Sequence, residues 1–277
     1  MSRSPMPPPS APALITGGSS GIGLAMARQI VAAGRPVALI ARNEARLVAA
    51  VTELKRLRAD AHILAIAADV GDAEAVERGI ASTVARFGPL GLAIANAGVS
   101  RPGLFAEQPL DQHELQMRVN YFGALHLARA AVPALARGGR LVFVSSGAAL
   151  VGITGYSAYA PSKFALRGLA EVLRVELAAR GISVTLALPP DTDTPQLEAE
   201  RATKPAATRR ITRAGGVYSA EVVAATILSA ALRGQFMVTN GPALSLLMRV
   251  QDLLGPYLRW SQRRAIRIVA RAGRTAE

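Results

Sequence analysis

The sequence predicts an α/β protein: a single-domain Rossmann fold whose doubly wound, seven-stranded parallel sheet carries helices on both faces. Short apolar segments rich in β-branched residues alternate along the chain with longer helical patterns. The 277 residues suit one domain, and the composition is 51% hydrophobic but only 4% aromatic, which is typical of helices packed on a buried parallel sheet. A glycine-rich turn follows the first apolar segment. In such a sheet, ligands bind beyond the carboxyl ends of the strands.

Strands and helices alternate from residue 12 onward. The first strand, residues 12–16, precedes a helix that extends to about Ala33, and the second, residues 36–41, precedes a helix over residues 43–59. Further strands are predicted at residues 61–68, 90–98, 139–146, 182–189 and 235–240, and further helices at residues 72–87, 109–136, 157–180 and 220–233. Connections of this kind make the strands parallel.

Three segments depart from this alternation. Residues 1–12 are rich in proline and contain no apolar run of signal-peptide length, so we expect a disordered leader. The Rossmann domain is predicted at residues 13–240. Within it, residues 190–217 lack a strong apolar period and are expected to form a substrate lid. Residues 241–277 are predicted to form a C-terminal extension.

The composition limits the chemistry. The chain has no cysteine, and His62, His113 and His126 lack the spacing of metal ligands, so no metal site is predicted. The net charge of +13 could attract nucleic acid, anionic lipid or a polyphosphate cofactor, or belong to a solvated surface. Seven arginines lie within residues 249–277, but aromatic residues make up only 4% of the chain, too few for the stacking that binds nucleic acid, so we expect no nucleic-acid partner. A cytoplasmic location is expected.

The stretch LITGGSSGIGLA, residues 14–25, permits two interpretations. Ser19 in a GxSxG pattern could be a hydrolase nucleophile, or the spaced glycines could cradle the pyrophosphate of a dinucleotide at a helix N-terminus. A hydrolase needs strands before its nucleophile and a histidine late in the chain, yet no histidine follows His126. The dinucleotide interpretation is therefore favoured. Its predicted contacts are Gly17, Ser19, Ser20, Gly21, Ile22 and Gly23.

The ends of the next strands refine the cofactor prediction. Arg42 ends the second strand, with Arg46 one helical turn on, and arginine at this place suits the 2′-phosphate of NADPH better than the free ribose of NADH. Arg42 could instead be a surface residue that caps a helix. Asp69 and Val70 end the third strand, where adenine is expected, although Asp69 could also be an ordinary helix cap. The fourth strand ends in small residues that would let a cofactor approach: Asn96, Ala97 and Gly98.

Tyr159 and Lys163 are candidate catalytic residues. Side chains four residues apart share one face of a helix, so the lysine ammonium could lower the pKa of the phenol, which is ordinarily about 10. Ser146 ends the fifth strand and could hydrogen-bond a substrate oxygen. A tyrosine and a lysine at this spacing are common by themselves. Their position after both the glycine loop and a strand that ends in serine is uncommon.

These features occur in the order TGGSSGIG (16–23), NAG (96–98), Asn120, Ser146 and YAPSK (159–163), which resembles the classical short-chain dehydrogenase/reductase family over about residues 13–240. The resemblance implies that Tyr159 is the general acid and that Lys163 holds the nicotinamide ribose and tunes Tyr159. It also implies that Ser146 positions the substrate carbonyl and that Asn120 supports a proton-relay water. Ser145 fits the family spacing less well than Ser146.

Within the family, four segments resemble the 3-ketodihydrosphingosine reductases: ARNEARL (41–47), FALRGLAEVLRVEL (164–177), LALPPDTDTP (186–195) and TKP (203–205). This resemblance implies NADPH-dependent reduction of 3-ketosphinganine, a long-chain keto-amine lipid, in sphingolipid biosynthesis. Thr194 would contact the nicotinamide carboxamide, with Pro189 and Thr192 also at the cofactor. The PPDTDTP stretch could instead be a proline-stiffened turn with aspartate caps.

Other functions remain open at this stage. The nearest alternative is reduction of another lipid-like ketone, such as a 3-oxoacyl thioester, a steroid or a retinoid. Outside enzymes, the chain could be an NADPH-sensing protein or a protein that binds anionic surfaces. The family resemblance further implies homodimers or homotetramers packed through the helix that carries Tyr159.

The C-terminal extension separates apolar from basic residues. Leu254, Tyr257, Leu258, Ala265, Ile268 and Val269 fall on one side of a helical wheel, and Arg259, Arg263, Arg267 and Arg274 fall on the other. This pattern is typical of a basic amphipathic helix on an anionic membrane surface, here the cytoplasmic face. It is equally compatible with a helix that docks its apolar face on the domain or on a partner subunit. The uncharged run at residues 234–248 is too short to span a bilayer.

Overall fold

The computed structural model describes residues 7–8 and 10–274. The strands are β1 (Ala13–Thr16), β2 (Val37–Ala41), β3 (Ile63–Ala67), β4 (Leu90–Ala95), β5 (Leu135–Val144), β6 (Ser183–Ala187), β7 (Asp191–Asp193), β8 (Val217–Ser219) and β9 (Met237–Val238). The main sheet has seven parallel strands in the order β3-β2-β1-β4-β5-β6-β9, and a separate pair of parallel strands, β7 and β8, lies in the lid segment. The predicted fold class is confirmed.

Helices cover both faces of the sheet, and each face has its own apolar core. The helices are α1 (Gly21–Ala32), α2 (Glu44–Leu57), α3 (Ala73–Phe87), α4 (Leu110–Met117), α5 (Gly123–Ala134), α6 (Tyr159–Glu176), α7 (Pro195–Arg201), α8 (Ala206–Thr212), α9 (Ala220–Leu232) and α10 (Pro242–Arg274). Helices α1, α2 and α9 pack on one face, and α3, α5 and α6 on the other. Side chains alternate along β1, so that Ile15 faces the first core and Leu14 the second.

The site forms where the strand order reverses. β1 pairs with β2 on one side and with β4 on the other. The chain leaves β1 toward one face of the sheet and leaves β4 toward the opposite face. Side-chain caps help to begin several helices: Asn43 accepts a hydrogen bond from Arg46 N at α2, and Asp72 accepts one from Ala75 N at α3. The crevice lies beyond the ends of β1 and β4, between the connections that follow these two strands.

Several boundaries differ from those predicted. The helix predicted at residues 109–136 is α4 and α5 joined by a π-helical turn (Arg118–Phe122), and the last strand is only two residues long. The lid segment is not irregular, because it folds into β7, α7, α8 and β8. Short helices of this kind have little apolar periodicity of their own, since tertiary contacts hold them.

The two ends of the chain compare differently with the prediction. Residues 1–6 and 9 of the predicted leader lie outside the described residues. Residues 10–12 pack against the domain, because Ala11 is buried and Gly91 N donates a hydrogen bond of 2.8 Å to Pro12 O beside the sheet. At the other end, α10 (Pro242–Arg274) lies within the predicted C-terminal extension, residues 241–277.

Candidate active site

The glycine loop is a tight turn held by the end of β4. Gly17 has a φ of 67°, which favours glycine, and the Thr16 hydroxyl accepts hydrogen bonds of 3.1 Å from both Asn96 N and Ala97 N. The Asn96 amide donates in turn to Thr16 O at 3.0 Å and to Gly17 O at 3.2 Å. A Cβ atom at Gly23 would lie 2.2 Å from Gly17 O, so only glycine allows helix α1 to approach this closely.

The N-terminus of α1 faces the cavity that follows the loop. Ser20 occupies the N-cap position, but its side chain makes no capping hydrogen bond, unlike the caps of α2 and α3. First-turn amides and the positive end of the helix dipole are suited to phosphate groups. Gly17, Ser20, Gly21 and Ile22 line the cavity, whereas Ser19 and Gly23 shape the loop behind it. These residues fit a dinucleotide and give Ser19 no histidine partner for hydrolase chemistry.

The residues predicted at the adenosine end lie outside the main cavity. Arg42 Nη1 lies 3.9 Å from Asp69 Oδ2, and both side chains are solvent-accessible. Asp69 also accepts a hydrogen bond of 2.8 Å from Gly71 N, so it stabilises its own turn. Arg46 is exposed in the first turn of α2, and Val70 is buried against α5. Their contacts with a cofactor stay predictions.

Tyr159 and Lys163 meet in the cavity as their spacing predicts. Tyr159 begins α6 and is 8% exposed, and Lys163, 4% exposed, lies one turn later with Nζ 5.6 Å from the centre of the tyrosine ring. The Lys163 ammonium donates a hydrogen bond of 3.2 Å to Val144 O at the end of β5. The pair is thus fixed between a helix and the sheet edge.

Two consecutive serines follow β5, and only one serves the cavity with its hydroxyl. Ser145 is buried, and its hydroxyl donates to Lys163 O at 3.1 Å, which joins the strand end to α6. Ser146 accepts a hydrogen bond from Ala148 N at 3.1 Å, and its hydrogen bond to Tyr159 lowers the pKa of that phenol. The structure therefore agrees with the choice of Ser146 over Ser145 as the partner of Tyr159.

Asn120 lies behind the cavity in the π-helical turn and is 1% exposed. Its amide donates to Val99 O at 2.9 Å and to Ser162 Oγ at 2.9 Å, and its Oδ1 accepts from Val99 N at 2.8 Å. Asn120 thereby ties the end of β4 to the catalytic helix. A role in supporting a water stays a prediction, because these three bonds use the side chain for structure.

The expected effect of Lys163 on Tyr159 is not what the structure gives. Burial raises the pKa of the Tyr159 phenol above its usual value, and the negative charge of Glu200 raises it further, against the lowering by Ser146. Burial lowers the pKa of Lys163 to about 8, which Glu200 partly opposes. The expectation of a lowered phenol pKa was wrong because desolvation outweighs the nearby ammonium. A phenol that stays protonated at neutral pH can donate a proton.

Sequence reasoning missed a buried cluster in the lid segment. Lys204 Nζ lies 3.0 Å from Asp191 Oδ2 and 3.8 Å from Glu200 Oε2, and we call these three residues the lid ion cluster. Tyr156 donates a hydrogen bond of 3.1 Å from its hydroxyl to Glu200 Oε2, and its ring lies 5.2 Å from that of Tyr159. The spacing of Glu200 and Lys204, one helical turn apart, was the available signal.

The turn after β6 brings the predicted cofactor residues next to the glycine loop. Pro189, Thr192 and Thr194 all line the cavity, and Pro189 O accepts a hydrogen bond of 3.0 Å from Gly147 N. The Thr194 side chain accepts from Leu197 N at 3.3 Å and so caps α7. A Cβ atom at Gly21 would lie 3.0 Å from Thr194 Cγ2. The turn after β6 and the glycine loop thus approach each other across the cavity.

The cavity has a volume of about 670 Å³, and both polar and apolar side chains line it. Its apolar lining includes Val151, Ile153, Ile211, Leu244, Leu247 and Ala265. Helix α10 supplies the last three of these residues, which we call the roof of the cavity. Ala265 is buried there, and the Gln262 side chain donates to Gly152 O at 2.7 Å and accepts from Thr154 N at 3.2 Å.

The residues predicted for the apolar face of the C-terminal helix differ in their exposure to solvent. Ala265 docks on the domain, whereas Tyr257 and Ile268 are exposed. The side chains of Leu254, Leu258, Arg259 and Arg274 lie outside the described residues. Across residues 7–8 and 10–274, no helix is both long and apolar enough to cross a membrane. The same part of the chain contains no cluster of three or more metal-ligating side chains.

Comparisons with known proteins agree with this geometry. The family model described as short chain dehydrogenase matches residues 11–205. The 3-dehydrosphinganine reductase of Danio rerio is 41% identical over 83% of this chain and 70% of its own length. The 3-ketodihydrosphingosine reductase of Bos taurus is 39% identical over 87% of this chain and 74% of its own length.

A solved structure extends the likeness to the fold. A short chain dehydrogenase from Burkholderia cenocepacia in complex with NADP is 31% identical, with a TM-score of 0.73 over 83% of this chain and 96% of that one. This chain belongs to the short chain dehydrogenase family and is an oxidoreductase with a nicotinamide cofactor.

Proposed function

We propose that this protein uses NADPH to reduce the 3-keto group of 3-ketosphinganine to sphinganine, a step of sphingolipid biosynthesis. One observation carries the proposal: Tyr159 and Ser146 line the same cavity as apolar side chains from α10 and from residues 151–153. The tyrosine and serine hydroxyls suit the ketone, and the apolar lining suits a long alkyl chain. The names of the Danio rerio and Bos taurus relatives support the same substrate.

In this proposal the chain's own residues handle the proton and the orientation. The Tyr159 hydroxyl donates its proton to the carbonyl oxygen, and the Ser146 hydroxyl hydrogen-bonds the same oxygen and holds the ketone in line. Lys163, whose Nζ lies 5.6 Å from the centre of the Tyr159 ring, would hold the nicotinamide ribose, and Asn120 fixes α6 against the end of β4. When bound, the reduced nicotinamide supplies the hydride that the carbonyl carbon accepts, and the product is a secondary alcohol.

The choice of NADPH depends on Arg42 and Arg46. Both arginines follow β2, both are exposed, and the Arg42 guanidinium is held only loosely by Asp69 at 3.9 Å. A 2′-phosphate would find two cations there, whereas a free 2′-hydroxyl would find no hydrogen-bonding acid at position 42.

A substrate comparison tests the proposed function. Purified full-length protein with NADPH is assayed against 3-ketosphinganine, a 3-oxoacyl thioester, a steroid ketone and a retinoid aldehyde or ketone. We expect the highest kcat/KM with 3-ketosphinganine. A higher value with another substrate would replace the assignment with that alternative, and NADPH binding without turnover of any substrate would favour a sensor.

We also propose that the outer face of α10 binds an anionic membrane surface. Trp260 and Ile266 are exposed there beside Arg263 and Arg267, a combination suited to the boundary between headgroups and acyl chains. Removal of α10 would strip the cavity roof, so surface substitutions are the better test. An R263E/R267E variant should lose sedimentation with phosphatidylserine vesicles while keeping turnover of dispersed substrate, and unchanged sedimentation would contradict the proposal.

A homo-oligomer packed through α6 is a further part of the proposal. Phe164, Val172 and Val175 expose large apolar side chains along α6, and Phe122 does so on the neighbouring π-helical turn. Exposed apolar patches of this kind often form protein interfaces. Light scattering should give a dimer or tetramer for the wild type and a smaller species for Val175→Glu, and a wild-type monomer would contradict it.

A further inference from the structure

Glu200 faces the cavity from the lid segment. It is 6% exposed, lies on α7, and lines the same cavity as Tyr159 and Ser146. One residue links it to the reacting centre, because Tyr156 donates a hydrogen bond of 3.1 Å from its hydroxyl to Glu200 and its ring lies 5.2 Å from that of Tyr159. The negative charge of Glu200 also raises the pKa values of both Tyr159 and Lys163. A buried carboxyl group therefore lines the same cavity as the proton donor, with Tyr156 between them.

The lid ion cluster leaves one negative charge without an equal partner. Asp191 and Glu200 both line the cavity, whereas Lys204 approaches from behind it. Lys204 is closer to Asp191, at 3.0 Å, and lies 3.8 Å from Glu200, beyond hydrogen-bond distance. Two carboxyl groups thus share one ammonium in a buried place, where an unpaired charge is costly. Burial raises the pKa of Glu200, against the lowering by Lys204 and by the hydroxyls of Ser100 and Tyr156. A second cation at Glu200 would therefore favour its charged form.

The other charges of the cavity wall do not complete the balance. Lys163 directs its ammonium to Val144 O on the far side of Tyr159, and Arg210 is exposed. Glu200 Oε1 lies 3.5 Å from Gln196 Nε2, at the limit of a hydrogen bond. A cationic donor that entered the cavity would find an acceptor at this oxygen.

We propose that Glu200 binds the ammonium group of an amino-ketone substrate and so selects for an amine on the carbon next to the reacting ketone. This inference rests on the proposed function, since 3-ketosphinganine carries its amine at that position. An amine and a ketone on adjacent carbons bind to groups on the same side of a cavity, and Glu200 and Tyr159 both line this cavity and both contact Tyr156. The Tyr156 hydroxyl, at 3.1 Å, and the Lys204 ammonium, at 3.8 Å, hold the carboxylate in place.

The same contact would assist the proton transfer. The negative charge of Glu200 makes Tyr159 a weaker acid, because a nearby anion disfavours the phenolate. A bound ammonium would neutralise that charge and make the proton easier to donate. A ketone without the amine would find an uncompensated carboxylate beside it.

The test compares two substrates in two variants of the full-length protein. Glu200→Gln keeps the size of the side chain and an acceptor for the Tyr156 hydroxyl, while Glu198→Gln removes the same charge from the exposed side of α7. The substrates are 3-ketosphinganine and 1-hydroxyoctadecan-3-one, which lacks the amine. Loss of a charge-assisted hydrogen bond should lower kcat/KM for 3-ketosphinganine about 10- to 100-fold in Glu200→Gln. The amine-free ketone should be reduced at an unchanged or higher rate, and Glu198→Gln should match the wild type.

The outcomes separate this inference from the proposed function. An equal loss with both substrates would show that Glu200 acts only through the position of Tyr156 and would overturn the inference. Wild-type protein that reduces 1-hydroxyoctadecan-3-one but not 3-ketosphinganine would contradict the proposed function as well. If Glu200→Gln does not fold, competition in the wild type decides: octadecylamine should inhibit at least ~10-fold more strongly than octadecanol, and equal inhibition would overturn the inference.

Discussion

The contact between Gly23 and Gly17 makes the glycine loop sensitive to a single methyl group. In Gly23→Ala, the new Cβ would lie 2.2 Å from Gly17 O and 2.6 Å from Asn96 Nδ2. The carbonyl would have to move by about 1 Å to restore a normal van der Waals distance. Neither neighbour can yield easily, because the Asn96 amide is bonded to Thr16 O and Gly17 O and the loop is bonded to β4.

The expected cost is large at the cofactor and small for the fold. Overpacking costs about 1–3 kcal/mol, of which the better helix propensity of alanine offsets about 1 kcal/mol. Displacement of the cradle should weaken NADPH binding by about 10-fold or more, since misplacement by about 1 Å has large effects on a preorganised site. Fluorescence titration of NADPH measures the affinity, and thermal unfolding measures the stability.

A matched substitution separates the clash from the effect of alanine itself. Gly168 lies in α6, and a Cβ atom there would meet nothing within 4 Å. Gly168→Ala should bind NADPH like the wild type and unfold at the same or a higher temperature. Wild-type NADPH affinity in Gly23→Ala would refute the conclusion that the loop cradles the cofactor.

Three further predictions address other parts of the site. An R42A/R46A double variant should lose about 10-fold or more in affinity for NADPH but little in affinity for NADH. The control Arg56→Ala, on α2, should change neither affinity, and unchanged selectivity in the double variant would exclude the two arginines as phosphate contacts. Because Lys163 is protonated below its pKa of about 8, kcat/KM should be constant below that pH and fall above it, and a profile that stays flat to high pH would show that the ammonium is not needed. Asn120→Ala removes three buried hydrogen bonds and should lower the free energy of unfolding by about 2–4 kcal/mol, measured by denaturant titration; a loss below that range would mean that water replaces them.

The sheet could be predicted because its strands are buried on both faces. Segments such as residues 36–41 and 90–95 are almost wholly apolar, and this composition in short runs indicates a parallel strand. The glycine loop, Tyr159 and Lys163 could also be found, because each depends on local spacing along one strand end or one helix. Local periodicity is enough to place such residues at the same edge of the sheet.

The lid segment could not be predicted in the same way. Its short helices are held by contacts between distant residues, such as Thr208 Oγ1 to Thr154 O at 2.7 Å. In the sequence, the charged residues Asp191, Glu200 and Lys204 suggest a solvent-exposed segment. In the structure they form a cluster in which Lys204 lies between two carboxyl groups. Nothing in the polar composition of the segment distinguishes these two cases.

The C-terminal helix shows a second limit of periodic patterns. An apolar face predicts contact with something apolar but does not identify it. The described part of α10 shows both kinds of environment: Leu244 and Ala265 cover the cavity, whereas Tyr257 and Trp260 are exposed. The pKa of Tyr159 was misjudged for a related reason, because the sequence shows the neighbouring lysine but not the depth of burial.

The most direct test of the account is turnover of 3-ketosphinganine by the wild type and by Tyr159→Phe in the presence of NADPH. The variant keeps the ring that packs on Tyr156 but loses the proton that the ketone must receive. We predict NADPH binding close to that of the wild type and a loss of kcat of at least ~100-fold. Turnover near the wild-type rate in Tyr159→Phe would contradict the role of Tyr159 and with it the proposed reaction.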